Sequence, residues 1–319
     1  MEPESLRTDQ GAKSPGSTVL VTGATGLVGS RVALRLAALG SRVRAIVRRA
    51  GGAPDLGSAG IEEIEGDFVD RDVARRAAAG VDLVVHCAAT SGPDLEAVRR
   101  VNSEGTHAVV DAALAAGCRR YVHISTCSVY RTDGLALVDE DSPLKETGDP
   151  YSITKAEADR IVLEGVARGL HAVILRPGAI LGVHATSTWA IKMPARVRDR
   201  QIKLTIDGMN AVPYVHVEDL VDAVLLALRG ERAAGRVYNV VDGHMTWKAY
   251  TDEVRSWFGT PPLETIPKEQ VPDGGYWMGK FDARRIRAEL NYTPRRTYAE
   301  GMAEAGRHWR QELEAARSV

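Results

Sequence analysis

The sequence predicts an α/β fold in which a doubly wound parallel sheet is joined to a smaller, largely C-terminal lobe. From Ser17 onward, short β-branched runs alternate with amphipathic stretches, and this rhythm requires parallel strands joined by right-handed helical crossovers. A glycine-rich turn follows the first of these runs, as is typical of sheets that bind ligands at their carboxyl edge. All five tryptophans fall beyond residue 180, where the rhythm breaks, which predicts a second lobe.

The elements can be placed in order because the apolar runs are too short for helices and are bounded by glycine or polar residues. Buried strands are predicted over 17–23, 42–48, 61–67, 81–89, 119–126 and 171–177. The chain is then predicted to return to the sheet once more, through residues 212–230 and 236–241. Helices are predicted over 27–40, where Gly40 ends the helix, over about 95–116 and over 150–168. Residues 1–16 are polar and rich in Gly, Pro and Ser, which predicts a disordered tail.

Composition excludes several classes of protein. The chain has 319 residues with 41 basic and 42 acidic side chains, a net charge of −1, so it lacks the basic surplus of a nucleic-acid binder. No apolar run approaches the ~18 residues of a membrane span. The three cysteines (Cys87, Cys118 and Cys127) have no CxxC spacing, which indicates reduced thiols. We therefore expect a soluble, cytoplasmic protein without a metal, a membrane partner or a nucleic-acid partner.

The segment VTGATGLVGS sets Gly23, Gly26 and Gly29 at GxxGxxG spacing between the first strand and the first helix. Such a turn lets backbone amides approach a pyrophosphate, and Thr25, Leu27 and Val28 complete the expected contact. A glycine-rich turn without a ligand is the alternative interpretation. The sequence therefore predicts a dinucleotide-binding domain over 17–182, to which 209–243 returns, and a substrate-binding lobe formed by 183–208 and 244–319.

The end of the second strand indicates which dinucleotide binds. It carries Arg48 and Arg49 and no acid, which favours the 2′-phosphate of NADP over the free ribose hydroxyl of NAD. Both arginines could instead be a solvated strand end. Asp67, in GDFVD after the third strand, could accept a hydrogen bond from the adenine amino group or simply form a turn.

A catalytic pair is predicted in YSITK, where Tyr151 and Lys155 lie four residues apart on one face of a helix. An ammonium beside a phenol lowers the pKa of the phenol from about 10, so we expect Tyr151 to exchange a proton near neutral pH. A second YxxxK match, Tyr276 and Lys280, lies in a glycine-rich loop, and we interpret it as a coincidence.

The strand before this helix ends in ISTCSVY, with hydroxyls at Ser125, Thr126 and Ser128. One of them can hydrogen-bond a substrate carbonyl and stabilise developing negative charge, although capping is the commoner use of a single hydroxyl at a strand end. The order of glycine turn, hydroxyl strand and YxxxK is harder to produce by chance than any one of them.

With these motifs, the chain resembles an extended short-chain dehydrogenase/reductase of the NAD-dependent epimerase/dehydratase type with a Rossmann-type sheet. The resemblance covers about residues 17–310 and rests on TGATGLVG, GDFVD, HCAAT, VNSEGT, STCSVY, YSITK, LRPGAILG and VHVEDL. It implies that Thr126 is the catalytic hydroxyl, Tyr151 the acid/base and Lys155 the residue that binds the nicotinamide ribose. It also implies cofactor contacts from Phe68, Ala88, Ala89, Asn102 and Pro177, transfer of the pro-S hydride, and a homodimer formed through the helices at 95–116 and 150–168.

Departures from the family pattern narrow the expected reaction. Sugar-nucleotide dehydratases carry an Asp-Glu pair where this chain has Cys127 and Ser128, and Val212 stands where sugar-nucleotide enzymes have an arginine. LRPGAILG, VHVEDL and Arg48 look more like the dihydroflavonol reductase and 3β-hydroxysteroid dehydrogenase branch.

We therefore expect an NADP-dependent oxidoreductase that interconverts a carbonyl and a secondary alcohol on a moderately hydrophobic small molecule. A sugar-nucleotide epimerase or reductase and a non-catalytic NADP-binding regulator remain as alternatives. His184 could enter the substrate pocket or be a surface residue. Four aromatic residues could line that pocket or form the core of the lobe: Trp189, Tyr214, Trp247 and Trp277.

Overall fold

A parallel sheet of seven strands forms the centre of the molecule in a computed structural model, which describes residues 16–270 and 278–317. The strands, in chain order, are β1 (Thr18–Thr22), β2 (Arg42–Val47), β3 (Glu62–Glu65), β4 (Leu83–His86), β5 (Arg120–Ile124), β6 (Leu137–Val138), β7 (Ala172–Pro177), β8 (Ala179–Leu181), β9 (Ala211–His216), β10 (Val237–Val240), β11 (Gly243–Thr246) and β12 (Lys280–Phe281). The central sheet has the order β10-β7-β5-β4-β1-β2-β3, and all of its pairs are parallel. The predicted doubly wound sheet is confirmed.

Helices cover both faces of this sheet. In chain order they are α1 (Leu27–Ala38), α2 (Pro54–Ser58), α3 (Arg71–Ala78), α4 (Leu95–Arg99), α5 (Gly105–Ala115), α6 (Pro150–Ala167), α7 (Met193–Arg198), α8 (Val217–Arg229), α9 (Trp247–Phe258), α10 (Arg284–Leu290) and α11 (Tyr298–Arg317). Helices α1 and α8 pack in the apolar core on one face, and α3, α5 and α6 pack in the core on the other. The helix predicted over 95–116 is formed by α4 and α5, joined by a π-helical turn over Arg100–Glu104.

The segment 212–230 differs in part from the prediction that it returns to the sheet. Its strand, β9, pairs with β8 and with antiparallel β11 in a separate three-stranded sheet, and only β10 joins the central sheet. Gly178, between β7 and β8, allows β9 to approach closely here, because a Cβ atom at this position would lie 2.6 Å from the Pro213 carbonyl oxygen of β9. The helix of the segment, α8, then packs back against α1.

The three-stranded sheet belongs to a third apolar cluster, which it forms with α7, α9 and α11. Trp189, Trp247 and Tyr250 pack against one another in this cluster, with ring centroids 5.2 to 6.1 Å apart. Tyr214 packs against Tyr298 at 5.4 Å. Trp189, Tyr214 and Trp247 are thus partly buried and pack against this cluster, whereas Trp277 lies outside the described residues, as do residues 1–15 of the predicted tail.

Across the described ranges, no helix combines the length and apolar character needed to cross a lipid bilayer.

Candidate active site

The predicted site residues converge because they follow neighbouring strands of the central sheet. Parallel strands end at the same edge, so the turns after them meet there. The residues that follow or end these strands are Gly23 after β1, Arg48 after β2, Asp67 and Phe68 after β3, Ala88 and Ala89 after β4, Thr126 after β5 and Pro177 at the end of β7. This edge is called the carboxyl edge below, and the space along it is called the cleft.

The turn after β1 is shaped by its glycines. Gly23 has φ +67°, and a Cβ atom there would lie 2.7 Å from the Ala88 backbone nitrogen. A Cβ atom on Gly29 would collide with the Gly23 carbonyl oxygen. Gly26 differs, since its φ of −102° suits any residue and the nearest heavy atom to a Cβ would be 3.3 Å away. Packing alone therefore requires Gly23 and Gly29 more strictly than Gly26.

Helix α1 starts directly from this turn at Leu27, with Gly26 as its N-cap, no side-chain cap from that residue and no acid in its first turn. The first amides and the positive dipole end of such a helix suit an anion, so the turn fits the diphosphate of a dinucleotide. Thr25 is exposed beside it and Val28 is half-buried.

The loop that follows β8 reaches this turn. The Leu27 amide donates a hydrogen bond to the Thr186 hydroxyl over 3.1 Å, and the Nδ1 atom of His184 lies 2.9 Å from the same hydroxyl. Arg31 of α1 donates to the Val183 carbonyl oxygen. His184 thus lies beside the glycine turn. Thr186 was not predicted, because no local pattern reveals a contact across 159 positions.

The end of β2 leaves the Arg48 side chain exposed. Neither Arg48 nor Arg49 makes a side-chain hydrogen bond or ion pair within the described part of the chain. Asp67 accepts from the Val69 amide over 3.1 Å, and its other oxygen is 3.6 Å from the Arg100 guanidinium. Asp67 therefore has the turn contact that the sequence allowed, and its carboxylate remains partly exposed.

A series of buried hydrogen bonds links side chains beneath the carboxyl edge. The Ala88 amide donates to the Thr22 hydroxyl, which lies 2.7 Å from Nδ1 of His86, while Nε2 of His86 lies 3.0 Å from the Thr106 hydroxyl. The Thr106 hydroxyl donates its hydrogen to the Asn102 carbonyl oxygen, so it can only accept a hydrogen bond from Nε2–H of His86. Because His86 is then protonated at Nε2, its Nδ1 atom accepts a hydrogen bond from the Thr22 hydroxyl. Burial lowers the pKa of His86 to about 3, with a smaller contribution from the charge of Lys155, so His86 is neutral in this chain.

The Asn102 side chain serves the same edge. Its amide oxygen accepts from the Thr90 amide over 2.8 Å, and its nitrogen donates to the Thr90 carbonyl and the Thr154 hydroxyl. Asn102 thereby ties the loop that carries Ala88 and Ala89 to α6. Phe68 packs edge-on against His86, at 5.6 Å between centroids, in the same layer. The sequence predicted Asn102 and Phe68 at this edge, but not the contacts of Asn102 with Thr90 and Thr154.

The predicted catalytic residues meet at the start of α6. Tyr151 lies in its first turn and is half-buried, and Lys155 follows one turn later with its side chain buried. Burial raises the pKa of Tyr151 to about 12, and the nearby Thr126 hydroxyl offsets part of this rise. Thr126 also accepts from the Ser128 amide over 3.1 Å.

The expectation that Lys155 draws the pKa of Tyr151 toward neutrality is wrong for this structure. The Lys155 ammonium donates to the Ile124 carbonyl over 2.8 Å and lies 3.1 Å from Nε2 of His123. Loss of solvent around the phenol raises its pKa, and the negative charges of Asp149 and Asp159 add to the rise, so the tyrosine keeps its proton.

The positions of the missing Asp-Glu pair carry no acid. The Cys127 thiol is buried and donates to the Arg176 carbonyl oxygen, and burial raises its pKa. Ser128 is half-buried beside Thr126, whose hydroxyl donates to it. Cys127 is thus a buried thiol. In the described ranges, no three His, Cys, Asp or Glu side chains are grouped to hold a metal ion.

The sheet order, the glycine turn and the Tyr–Lys pair beside it define a class, namely the NAD(P)-dependent enzymes of the short-chain dehydrogenase/reductase type. The sequence model of the NAD dependent epimerase/dehydratase family matches residues 19–241. The chain belongs to this family, in its extended form.

Relatives in this family catalyse different reactions. A 4-hydroxy-2-methyl-3-oxo-4-farnesyl-3,4-dihydroquinoline-1-oxide ketoreductase of Stigmatella aurantiaca is 30% identical over 316 residues, covering 88% of this chain and 93% of the relative. A dTDP-glucose 4,6-dehydratase of Streptomyces niveus is 29% identical over 309 residues, covering 90% of each. The solved structure of DesIV, a dTDP-glucose 4,6-dehydratase of Streptomyces venezuelae with NAD bound, gives a TM-score of 0.76 at 26% identity, covering 92% of this chain and 97% of that one.

Proposed function

We propose that the protein is an NADP-dependent oxidoreductase that interconverts a carbonyl and a secondary alcohol on a moderately hydrophobic small molecule. The observation that carries the proposal is that the turn after β5, which begins at Thr126, packs against the start of α6, where Tyr151 and Lys155 lie one turn apart, with no carboxylate at positions 127 and 128. These residues can bind and protonate a carbonyl oxygen, but they lack the acid pair for an elimination. The similarity to a ketoreductase supports this choice.

The chain's own residues would act on the carbonyl oxygen. Thr126 donates a hydrogen bond that polarises the carbonyl, and Tyr151 transfers its phenolic proton to the oxygen as it gains charge. A pKa of about 12 keeps that proton on Tyr151 at neutral pH, which suits the direction of reduction. When bound, the nicotinamide supplies the hydride to the carbonyl carbon. Lys155 keeps one ammonium hydrogen for the ribose, since the other two are used by Ile124 and His123.

The preference for NADP is supported by the charge at the end of β2. Arg48 is exposed at the carboxyl edge, without a partner in the described chain, and no acid stands there to bind a free 2′-hydroxyl. A guanidinium offers two parallel hydrogen bonds to a phosphate. Glycine-turn residues 23–29 would hold the diphosphate through their amides, and Ala88, Ala89 and Pro177 would border the dinucleotide.

The proposal also assigns roles to two parts of the chain and an interface to a homodimer. Residues 17–182 with 209–243 would form the NADP-binding domain, and 183–208 with 244–319 would shape the substrate site. Most buried members of the third apolar cluster belong to this second part, which supports the division, although Ala179, Leu181 and Val212 of the first part join the cluster. A homodimer would form through α5 and α6, which pack side by side.

A thermal-shift titration with NADPH, NADP⁺, NADH and NAD⁺ tests the cofactor, on wild type and on Arg48→Ala. A ligand at 100 times its Kd stabilises a protein by about 2.7 kcal/mol. We expect NADPH to stabilise more than NADH, and Arg48→Ala to remove the difference. Arg42→Ala is the matched control because Arg42 is exposed at the other end of β2.

Activity is then tested as NADPH oxidation with a panel of ketones and aldehydes, and UDP- and dTDP-sugars are added to the thermal series. Consumption of NADPH with a ketone supports the proposal. Stabilisation by a sugar nucleotide without net NADPH consumption contradicts it and favours the epimerase alternative. Absence of binding by all four dinucleotides contradicts it as well.

A further inference from the structure

A buried group of charged and polar side chains lies beneath the catalytic pair. Lys155 and Asp159 are one turn apart on α6, His123 comes from β5 and Arg176 from β7, and each residue is at most 2% exposed. The Arg176 Nε atom donates to Asp159 over 2.8 Å. The other Asp159 oxygen is 3.6 Å from Nε2 of His123, which in turn lies 3.1 Å from the Lys155 nitrogen.

The charges of these side chains determine the direction of the hydrogen bond between Lys155 and His123. Asp159 is held in a buried ion pair by Arg176. The acceptors within hydrogen-bond distance of the Lys155 nitrogen are the Ile124 carbonyl oxygen and Nε2 of His123. Burial, with the charges of Lys155 and Arg176, lowers the pKa of His123 well below its usual value, so its ring is neutral. An ammonium has only donors, so His123 must accept at Nε2 and carry its single proton on Nδ1.

We propose that His123 is a positioning residue for Lys155, whose neutral imidazole accepts one ammonium hydrogen and so holds the lysine charged beside Tyr151. The proposal rests on the proposed function, because Lys155 matters to turnover only if Tyr151 transfers the proton. Without His123, one of the two buried acceptors of the ammonium would be lost, and a buried hydrogen-bond donor without a partner favours the neutral amine.

The groups that face Lys155 come from four elements. Asp159 and Tyr151 share its helix, His86 and Cys87 come from the end of β4, and His123 and Arg176 belong to β5 and β7. Burial lowers the pKa of Lys155 to about 8, while the charge of Asp159 opposes this shift. Lys155 therefore titrates within the range in which a reductase is assayed.

The test compares His123→Leu with His123→Gln in the full chain. A glutamine oxygen can replace Nε2 as acceptor, whereas leucine cannot. The pKa of Lys155 is measured without cofactor by NMR of ¹⁵Nζ-labelled lysine, with the resonance assigned by its loss in Lys155→Met. The pH dependence of kcat for ketone reduction is the second readout. We expect His123→Leu to lower the pKa of Lys155, and to move the alkaline fall of kcat, by about one pH unit. His123→Gln should keep both near wild type.

Equal shifts in the two variants, or no shift in a folded His123→Leu, would overturn the proposal. If His123→Leu does not fold, ¹⁵N imidazole shifts of wild type decide the question, because the proposal requires a neutral ring protonated at Nδ1. A ring protonated at Nε2, or a charged ring, would contradict it. Failure of ketone reduction removes only the kcat readout and counts against the proposed function, while both NMR measurements still test His123.

Discussion

At the glycine turn, the groups that face the cleft are backbone amides held within the seven residues from Gly23 to Gly29. At the Lys155 end, they are side chains backed by a buried group drawn from β4, β5, β7 and α6. The first arrangement contains nothing that titrates and depends on the absence of side chains. The second depends on charges and tautomers that burial sets. The two ends should therefore respond differently to substitution and to pH.

The largest effect is expected at the lysine end, from Tyr151→Phe. Removing the phenolic hydroxyl removes the proposed proton donor, so kcat for ketone reduction should fall by about 10³-fold. Dinucleotide affinity should stay near wild type, because the glycine turn is untouched. Steady-state kinetics and a thermal-shift titration measure the two quantities.

The control for this change is Tyr276→Phe, in the second YxxxK match. Tyr276 lies outside the described residues, and its match is interpreted as a coincidence, so its loss should leave kcat unchanged. Turnover of Tyr151→Phe at the wild-type rate would show that the proposed mechanism is wrong.

At the turn end, Gly23→Ala should destabilise the fold by about 3 kcal/mol, through a left-handed φ and a Cβ atom 2.7 Å from the Ala88 nitrogen. Gly40→Ala is the matched control, since Gly40 has φ +86° but no heavy atom within 4 Å of a Cβ. Its cost should be about 1 kcal/mol. Denaturant unfolding measures both. Equal costs would mean that the contact with Ala88 does not restrict the turn.

The smallest expected effect is a loss of folding stability at acid pH, which arises from His86 at the lysine end and has no counterpart in the glycine turn. Burial lowers the pKa of His86 from 6.5 to about 3, so the unfolded chain binds this proton more tightly than the folded one. The stability that neutral His86 provides is complete above pH 6.5 and is lost as pH falls toward 3. Between pH 7 and pH 5 the loss should be about 2 kcal/mol.

Urea unfolding of wild type and His86→Gln at both pH values measures this loss. The variant should be less stable at pH 7 but should lose about 2 kcal/mol less on acidification. An identical loss in both proteins would show that His86 is not held neutral by the fold.

The sequence predicted the elements whose signals are local. Seven strand positions and the turn at Gly23 follow from short apolar runs and glycine spacing, and each is found where it was predicted. The family and the absence of an acid pair at Cys127 and Ser128 could also be read directly. The roles of Thr126, Tyr151 and Lys155 remain predictions.

What escaped prediction depends on pairs far apart in the chain or on burial. Thr186 meets Leu27 across 159 positions, and Arg176 meets Asp159 from a different strand. The pKa of Tyr151 was misjudged because four-residue spacing shows that Lys155 is near but not that solvent is absent. The strand β9 was assigned to the wrong sheet because an apolar run does not specify its partner.

The chain from Ala88 through Thr22, His86 and Thr106 has one permitted direction, because each hydroxyl has a single hydrogen to give. Replacing one member leaves the two neighbouring groups without a partner in a dry interior, and replacing all three side chains with apolar ones also leaves two, the Ala88 amide and the Asn102 carbonyl oxygen. Their contributions are therefore coupled rather than additive. The three substitutions at positions 22, 86 and 106 made together should cost less stability than the sum of the three made singly.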